Sequence, residues 1–144
     1  MNDRAIILGC GGHSRTVINI LVQGRHCSLV GLYDLSHPDS NEFISGIPVL
    51  GHVSKLFESS FDRQVDLYLA FGDNSIRQRW FETLSGEGYK FKTLISESAN
   101  ISMNVTFGVG SLICSQVYLG PNSIIGSNSI INTASVIEHE AKIG

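Results

Sequence analysis

The sequence predicts an α/β domain followed by a β-solenoid. Two patterns carry that reading. Through residues 1–93, short apolar runs ending in glycine or aspartate alternate with helical patterns. From Ile95 onward, a large apolar residue returns at every sixth position without a miss. The composition suits both: 42% of the 144 residues are hydrophobic and 16% are charged, enough to bury a core. Fifteen glycines against three prolines fit a chain with many tight turns or close backbone approaches.

The first half is read element by element. Ala5-Ile6-Ile7-Leu8 is an apolar run ending at Gly9, a buried strand. GCGGHS follows, and then a helical pattern puts Val17, Ile18, Leu21 and Val22 on one face, with Ser14 as N-cap. SLVGLYD, residues 28–34, is a second strand closing on Asp34, and SHPDSNE after it is a polar loop. GIPVLG, residues 46–51, is a short extended segment, and HVSKLF is a helical turn or two. VDLYLAFGD, residues 65–73, is a third strand. SIRQRWFETLSGEGY is a helix stopped by Gly86 and Gly88, and KFKTLIS is a fourth short strand. Strands alternating with helices imply a parallel sheet with right-handed crossovers. Residues 1–93 therefore read as a small Rossmann-like domain.

The second half, residues 94–144, has a period of six. The large residues are Ile95, Ile101, Phe107, Ile113, Leu119, Ile125, Ile131, Ile137 and Ile143. Two positions before each of the last eight stands a small or β-branched residue, from Ala99 and Val105 to Ser135 and Ala141. Glycine follows the large residue at Gly108, Gly120, Gly126 and Gly144. Six fits neither a helix nor an isolated strand; it fits a parallel β-helix of hexapeptides, three hexads to a triangular coil. The large residues fill the interior, the small ones fit near the corners, and glycine or asparagine supplies the turns. The series stops at Ile143-Gly144, on the start of a new hexad, with no capping segment after it. Solenoids need caps. A natural short protein capped by oligomer contacts is one explanation, and a truncated chain is the preferred expectation.

Several function classes drop out. Net charge is −3 and no basic run occurs, so nucleic acid is not expected as a partner. No apolar stretch reaches the roughly 18 residues of a membrane span, and no secretory leader pattern opens the chain, so a cytoplasmic location is expected. Cys10, Cys27 and Cys114 are widely spaced and form no CxxC pair, which favours reduced thiols over zinc or disulfides. No metal is expected.

Two segments carry chemistry. GCGGHS lies between a strand and a helix, where glycines let a phosphate approach backbone N–H groups at the positive helix end. The dinucleotide fingerprint G-x-G-x-x-G needs glycine at position 14, where Ser14 stands, so NAD is poorly supported. Cys10 has no base beside it and reads as a packed thiol. Gly72, Asn74 and Arg77 follow the third strand, whose end faces the same crevice in an open α/β sheet. Arg77 suits a phosphate or, equally, a helix surface. The other segment is Glu138-His139-Glu140. A neutral imidazole can accept the proton of an attacking amine or hydroxyl, and a carboxylate on its other nitrogen fixes the tautomer. Glu140 can reach the ring if the pair sits at a coil corner, and Glu138 is the other candidate partner. His26, His37 and His52 lie in apparent loops and read as surface residues.

Together these pieces resemble one family, the sugar acetyltransferases of the NeuD/PglD type. The resemblance rests on LGCGGHSRTV at 8–17, YD at 33–34, GIPVLG at 46–51, FGDNSIR at 71–77 and NTASVIEHEAKIG at 132–144. It spans effectively the whole chain. It implies a left-handed β-helix that assembles as a homotrimer and binds acetyl-CoA between subunits. It implies His139 as the catalytic base and Glu140 as its partner. Gly9, Gly11, Gly12 and His13 would line a nucleotide-sugar site, with Asp34 on the nucleotide's uracil or ribose and Gly72, Asn74 and Arg77 nearby. The chain departs at Leu35, where PglD-like members often carry a second acid, so the nucleotide's identity and orientation are less settled than the rest.

The resemblance implies acetyl transfer from acetyl-CoA to the amino group of a UDP-linked sugar in surface glycan biosynthesis. O-acetylation of sialic acid or another sugar is the alternative within the class. Outside it stand a dinucleotide-binding oxidoreductase and a non-catalytic nucleotide-sugar-binding fragment. Family members run several coils further, and those coils supply most of the acetyl-CoA site. The expectation is that this 144-residue form binds nucleotide and is weak or inactive as a catalyst.

Overall fold

The computed structural model describes residues 4–24, 27–36 and 41–144. They divide into two compact units, one running to Phe91 and the other from Lys92 to Gly144. His26 and His37 lie outside the described residues.

In the first unit the strands are β1 (Arg4–Leu8), β2 (Ser28–Asp34), β3 (Phe43–Ile44), β4 (Ile47–His52), β5 (Asp66–Leu69) and β6 (Lys90–Phe91). They form one sheet in the order β3-β4-β2-β1-β5-β6, parallel throughout except for the β3–β4 pair. Helix α1 (Gly12–Gly24) joins β1 to β2, and α2 (Asn74–Gly86) joins β5 to β6. Ala5, Ile6, Ile7 and Leu8 are all buried. A parallel strand covered on both faces has no polar side, so β1 reads as a continuous apolar run.

Several local readings need correction. Ser14 is not the cap of α1: the helix starts two residues earlier, and the Ser14 hydroxyl donates to the Gly11 carbonyl at 2.6 Å. Val22 is exposed and Ile20 is buried in its place. At about 100° per residue, Ile20 lies beside Val17 and Leu21, and Val22 turns away. HVSKLF is a 3-10 turn, Val53–Phe57, and His52 is its N-cap, accepting the Ser54 N–H through Nδ1. The hairpin strand β3 gives no periodicity in two residues; its turn is set by Ser45 and Gly46, at φ 50° and 82°. KFKTLIS is two strands, not one: β6 pairs with β5, whereas β7 (Leu94–Ile95) belongs to the second unit.

The second unit continues with β8 (Asn100–Ile101), β9 (Thr106–Phe107), β10 (Leu112–Ile113), β11 (Tyr118–Leu119), β12 (Ile124–Ile125), β13 (Ile130–Ile131), β14 (Val136–Ile137) and β15 (Lys142–Ile143). They form three parallel sheets, β13-β10-β7, β14-β11-β8 and β15-β12-β9. Ile113 pairs with Ile95 below and Ile131 above, so one coil is three hexads. This is a left-handed parallel β-helix. Ile113, Leu119, Ile125 and Ile131 are buried, and so are the small residues Ser111, Val117, Ser123 and Ser129 beside them.

Asparagine or glycine supplies the turn at Asn104, Gly110, Asn122 and Asn128, as expected, and Gln116, Ala134 and Glu140 supply it elsewhere; each falls three residues after a large residue, from Ile101 to Ile137, with φ between 58° and 73°. Gly108, Gly120 and Gly126 do not supply the turn. The glycines next to the large residues serve close approach instead. A Cβ on Gly108 would lie 2.2 Å from the Ser127 nitrogen, and one on Gly120 would lie 2.5 Å from the His139 nitrogen.

The interior stack sets a stability test. Ile113→Ala is expected to destabilise the protein by about 2–5 kcal/mol in denaturant unfolding. Val136→Ala, at an exposed strand position, should change stability by less than about 0.5 kcal/mol.

Candidate active site

In the first unit the sheet reverses direction of winding between β1 and β5, so the segments after these strands flank a crevice. Gly9 ends β1 with φ 111°, and its N–H donates to the Tyr33 carbonyl at 2.8 Å. A Cβ there would press to 3.0 Å on the Ala70 carbonyl carbon. Gly11 and Gly12 are different: both are exposed, and a Cβ on either would meet nothing within 4 Å. The backbone at the start of α1 is thus open to a ligand. Asp73 caps α2, accepting the Ile76 N–H at 2.8 Å, and exposed Asn74 opens that helix. Two helix N-termini therefore begin at the ends of adjacent strands; that of α2 already holds the Asp73 carboxylate, and that of α1 is open to an anion.

Asp34 organises this crevice. Its Oδ1 accepts the Cys10 N–H at 3.1 Å and its Oδ2 accepts the Ser36 hydroxyl at 2.7 Å. Burial works to raise its pKa, but these bonds and the N–H groups of Leu35 and Ser36 outweigh it, and the carboxyl lies below its usual range. The glycine loop is thereby tied to the end of β2. Cys10 remains a thiol: burial first, then the Asp34 and Glu42 carboxylates, push its pKa up to about 12. It is no nucleophile at neutral pH.

Arg77 is not a surface cation. It is 2% exposed, and its Nη1 donates to the Leu69 carbonyl at 2.7 Å, at the end of β5. His13 stands on the first turn of α1, with its Cβ 4.0 Å from where a Gly72 Cβ would be. Burial first, then the Arg77 charge, lowers the pKa of His13. Its Nε2 is buried without a hydrogen-bond partner. The crevice thus holds a neutral imidazole with one unsatisfied nitrogen.

In the second unit Glu138, His139 and Glu140 form the corner between β14 and β15. Glu140 occupies the left-handed position, at φ 59°. That turn sets the His139 Nδ1 3.4 Å from the Glu140 Oε2, and both side chains stand in solvent, 71% and 73% exposed. The corner brings Glu140 rather than Glu138 to the ring.

The crevice and the corner acquire a common context from comparison. The PglD N-terminal domain family matches residues 4–84. The chain belongs to that family. As a PglD N-terminal domain protein it also has similar solved structures. A mutant GDP-perosamine N-acetyltransferase from Caulobacter crescentus, in complex with CoA and GDP-perosamine, is 28% identical with a TM-score of 0.82. That alignment covers 96% of this chain and 64% of the enzyme, so the chain spans less than two thirds of that protein's length. The acetyltransferase domain of PglB from Neisseria gonorrhoeae FA1090 is 26% identical with a TM-score of 0.85, covering 97% of this chain and 67% of that one. The same domain in complex with acetyl coenzyme A aligns at 24% identity with a TM-score of 0.87, over 99% of this chain and 67% of that one.

Residue spacing could have pointed to one further residue in contact with the His139 corner. Gly120 precedes Glu138 by one 18-residue coil and lies under the His139 backbone. Arg77's burial had no signal in sequence, because a helix arginine reads the same on either face.

The lowered pKa of His13 has a sign that can be checked. Below its ordinary value of 6.5 the unfolded chain protonates this residue before the native chain does. Stability therefore rises with pH, and falls as pH drops from 6.5 toward the lowered native value. His13→Gln is expected to flatten the part of a melting-temperature profile that lies just below pH 6.5.

Proposed function

We propose that this chain serves an acetyl-CoA-dependent sugar N-acetyltransferase, moving acetyl from acetyl-CoA to the amino group of a nucleotide-linked amino sugar in surface glycan biosynthesis. The observation that carries the reading is the exposed His139–Glu140 pair at a β-helix corner, in a chain 28% identical to an enzyme whose solved complex holds CoA and GDP-perosamine. The open glycine loop of the first unit supports a nucleotide-sugar site.

The roles follow from the chemistry. The sugar amine attacks the thioester carbonyl carbon, and a C–N bond forms. His139 Nε2 takes the amine proton, while Glu140 holds the Nδ1–H tautomer and stabilises the imidazolium. The tetrahedral intermediate collapses with cleavage of the C–S bond. The proton passes from His139 to the departing sulfur, leaving the acetamido sugar and CoA thiol.

In the first unit, the Gly11 and Gly12 backbone and the N-terminus of α1 receive the diphosphate, with buried Arg77 adding positive potential. Gly9 keeps the loop close to Ala70, and Asp34 fixes its shape from β2. Asn74 faces the ligand from the first turn of α2. Neutral His13 offers Nε2 to a sugar or ribose hydroxyl beside Gly72. By the family resemblance, acetyl-CoA is held between subunits of a homotrimer. The nucleotide is UDP by that resemblance and GDP by the perosamine enzyme's example.

Mass spectrometry of the intact protein's products with acetyl-CoA and UDP- or GDP-linked 4-amino sugars tests the reading. One nucleotide series should gain an acetyl group. His139→Ala should lower kcat about 100-fold or more, and Glu140→Gln at least about tenfold. No acetylated product from either series would sink it.

A further inference from the structure

The His139 corner rests on the coil beneath it, and the contacts between the two are unusually restrictive. Strand pairing stacks Leu119 under Ile137 and Ile125 under Ile143. Gly120, Pro121 and Asn122 therefore lie below Glu138, His139 and Glu140. Gly120 N–H donates to the Ile137 carbonyl at 2.7 Å, and Glu140 N–H donates to the Pro121 carbonyl at 2.9 Å. These two bonds clamp the backbone on either side of the histidine.

Between the clamps there is no spare room. A Cβ on Gly120 would stand 2.5 Å from the His139 nitrogen and 2.8 Å from the Glu138 carbonyl carbon. Both are backbone atoms, which cannot rotate aside as a side-chain end would. Gly120 is thus required for space, and any side chain there lifts the histidine.

The acid is held from the same coil. Asn122 and Glu140 share one corner and the same left-handed conformation, φ 61° and 59°. Below them Asn104, at φ 59°, donates its Nδ2 to the Asn122 Oδ1 at 3.2 Å. Glu140 occupies the next level of that corner stack, one strand spacing of about 4.8 Å above Asn122.

We propose that Gly120 and Asn122 are positioning residues for the base pair. Gly120 sets the height of His139 above the coil, and the Asn104–Asn122 amide ladder steers Glu140 toward His139 Nδ1. The inference rests on the reading of His139 as general base. Neither residue touches substrate; each acts through the corner above it.

The test compares Gly120→Ala and Asn122→Ala with two controls in the intact protein. Gly108→Ala imposes a similar clash, 2.2 Å from the Ser127 nitrogen, on a corner without the histidine. Asn128→Ala changes another left-handed corner, at φ 61°. Gly120→Ala and Asn122→Ala should each lower kcat about tenfold or more, with KM within about twofold. The controls should lose melting temperature and keep wild-type kcat. Crystal structures superposed on residues 112–131 should show a displaced His139 ring in the first variant and a Glu140 carboxylate turned from Nδ1 in the second. Should Gly120→Ala not fold, Asn122→Ala decides alone. Wild-type kcat and an unmoved pair in Asn122→Ala, with His139→Ala inactive, would overturn the proposal. Wild-type kcat in His139→Ala would remove the catalytic reading itself, whatever the crystal structures show.

Discussion

The β-helix depends on one backbone constraint: from Asn104 to Glu140 the chain enters the left-handed region once per hexad. Without that turn the strands could not stack at an 18-residue interval, and no interior would close around Ile113, Leu119 and Ile125. Asparagine and glycine meet the demand readily at Asn104, Gly110, Asn122 and Asn128. Gln116, Ala134 and Glu140 meet it without their advantages, at roughly 1 kcal/mol each. At Glu140 the left-handed residue lets two adjacent side chains share one edge, which an alternating strand forbids. His139 and Glu140 become neighbours because of that corner.

The first unit poses a different problem, how to leave helix-start backbone open at the end of a sheet. Two helices begin at the ends of β1 and β5; the N-terminus of α1 is open, and that of α2 holds the Asp73 carboxylate. Arg77 is buried and braced on Leu69, so it acts through its field, whereas exposed Arg15 donates to the Gly11 carbonyl at 3.5 Å. Asp34 fixes the shape of the Cys10 turn. His13, uncharged beside Arg77, adds a directional group with no net charge.

Much of this was legible because it is local or periodic. The hexad series, the glycine loop, the strand ends and the His139–Glu140 neighbours are all readable within a few residues or at a fixed period. The misreadings lie where one segment's structure is chosen by another. KFKTLIS is one apolar run, yet β6 pairs with β5 and β7 with β10. Ser14 has the chemistry of a cap, but it lies inside α1 and its hydroxyl bonds back to Gly11, just before the helix. Gly108 and Gly120 look like turn residues, and only the coil above shows that they are there for space.

The sequence by itself determined the two architectures and the chemical inventory: a phosphate-compatible glycine loop, and an imidazole beside two carboxylates. These follow from period, spacing and residue type, which need no knowledge of neighbours. The tertiary structure decided which carboxylate faces the ring, that Arg77 is inside, and that Gly120 lies against the His139 backbone. Those facts depend on atoms brought together across a full coil or across the sheet, and only the fold sets such distances.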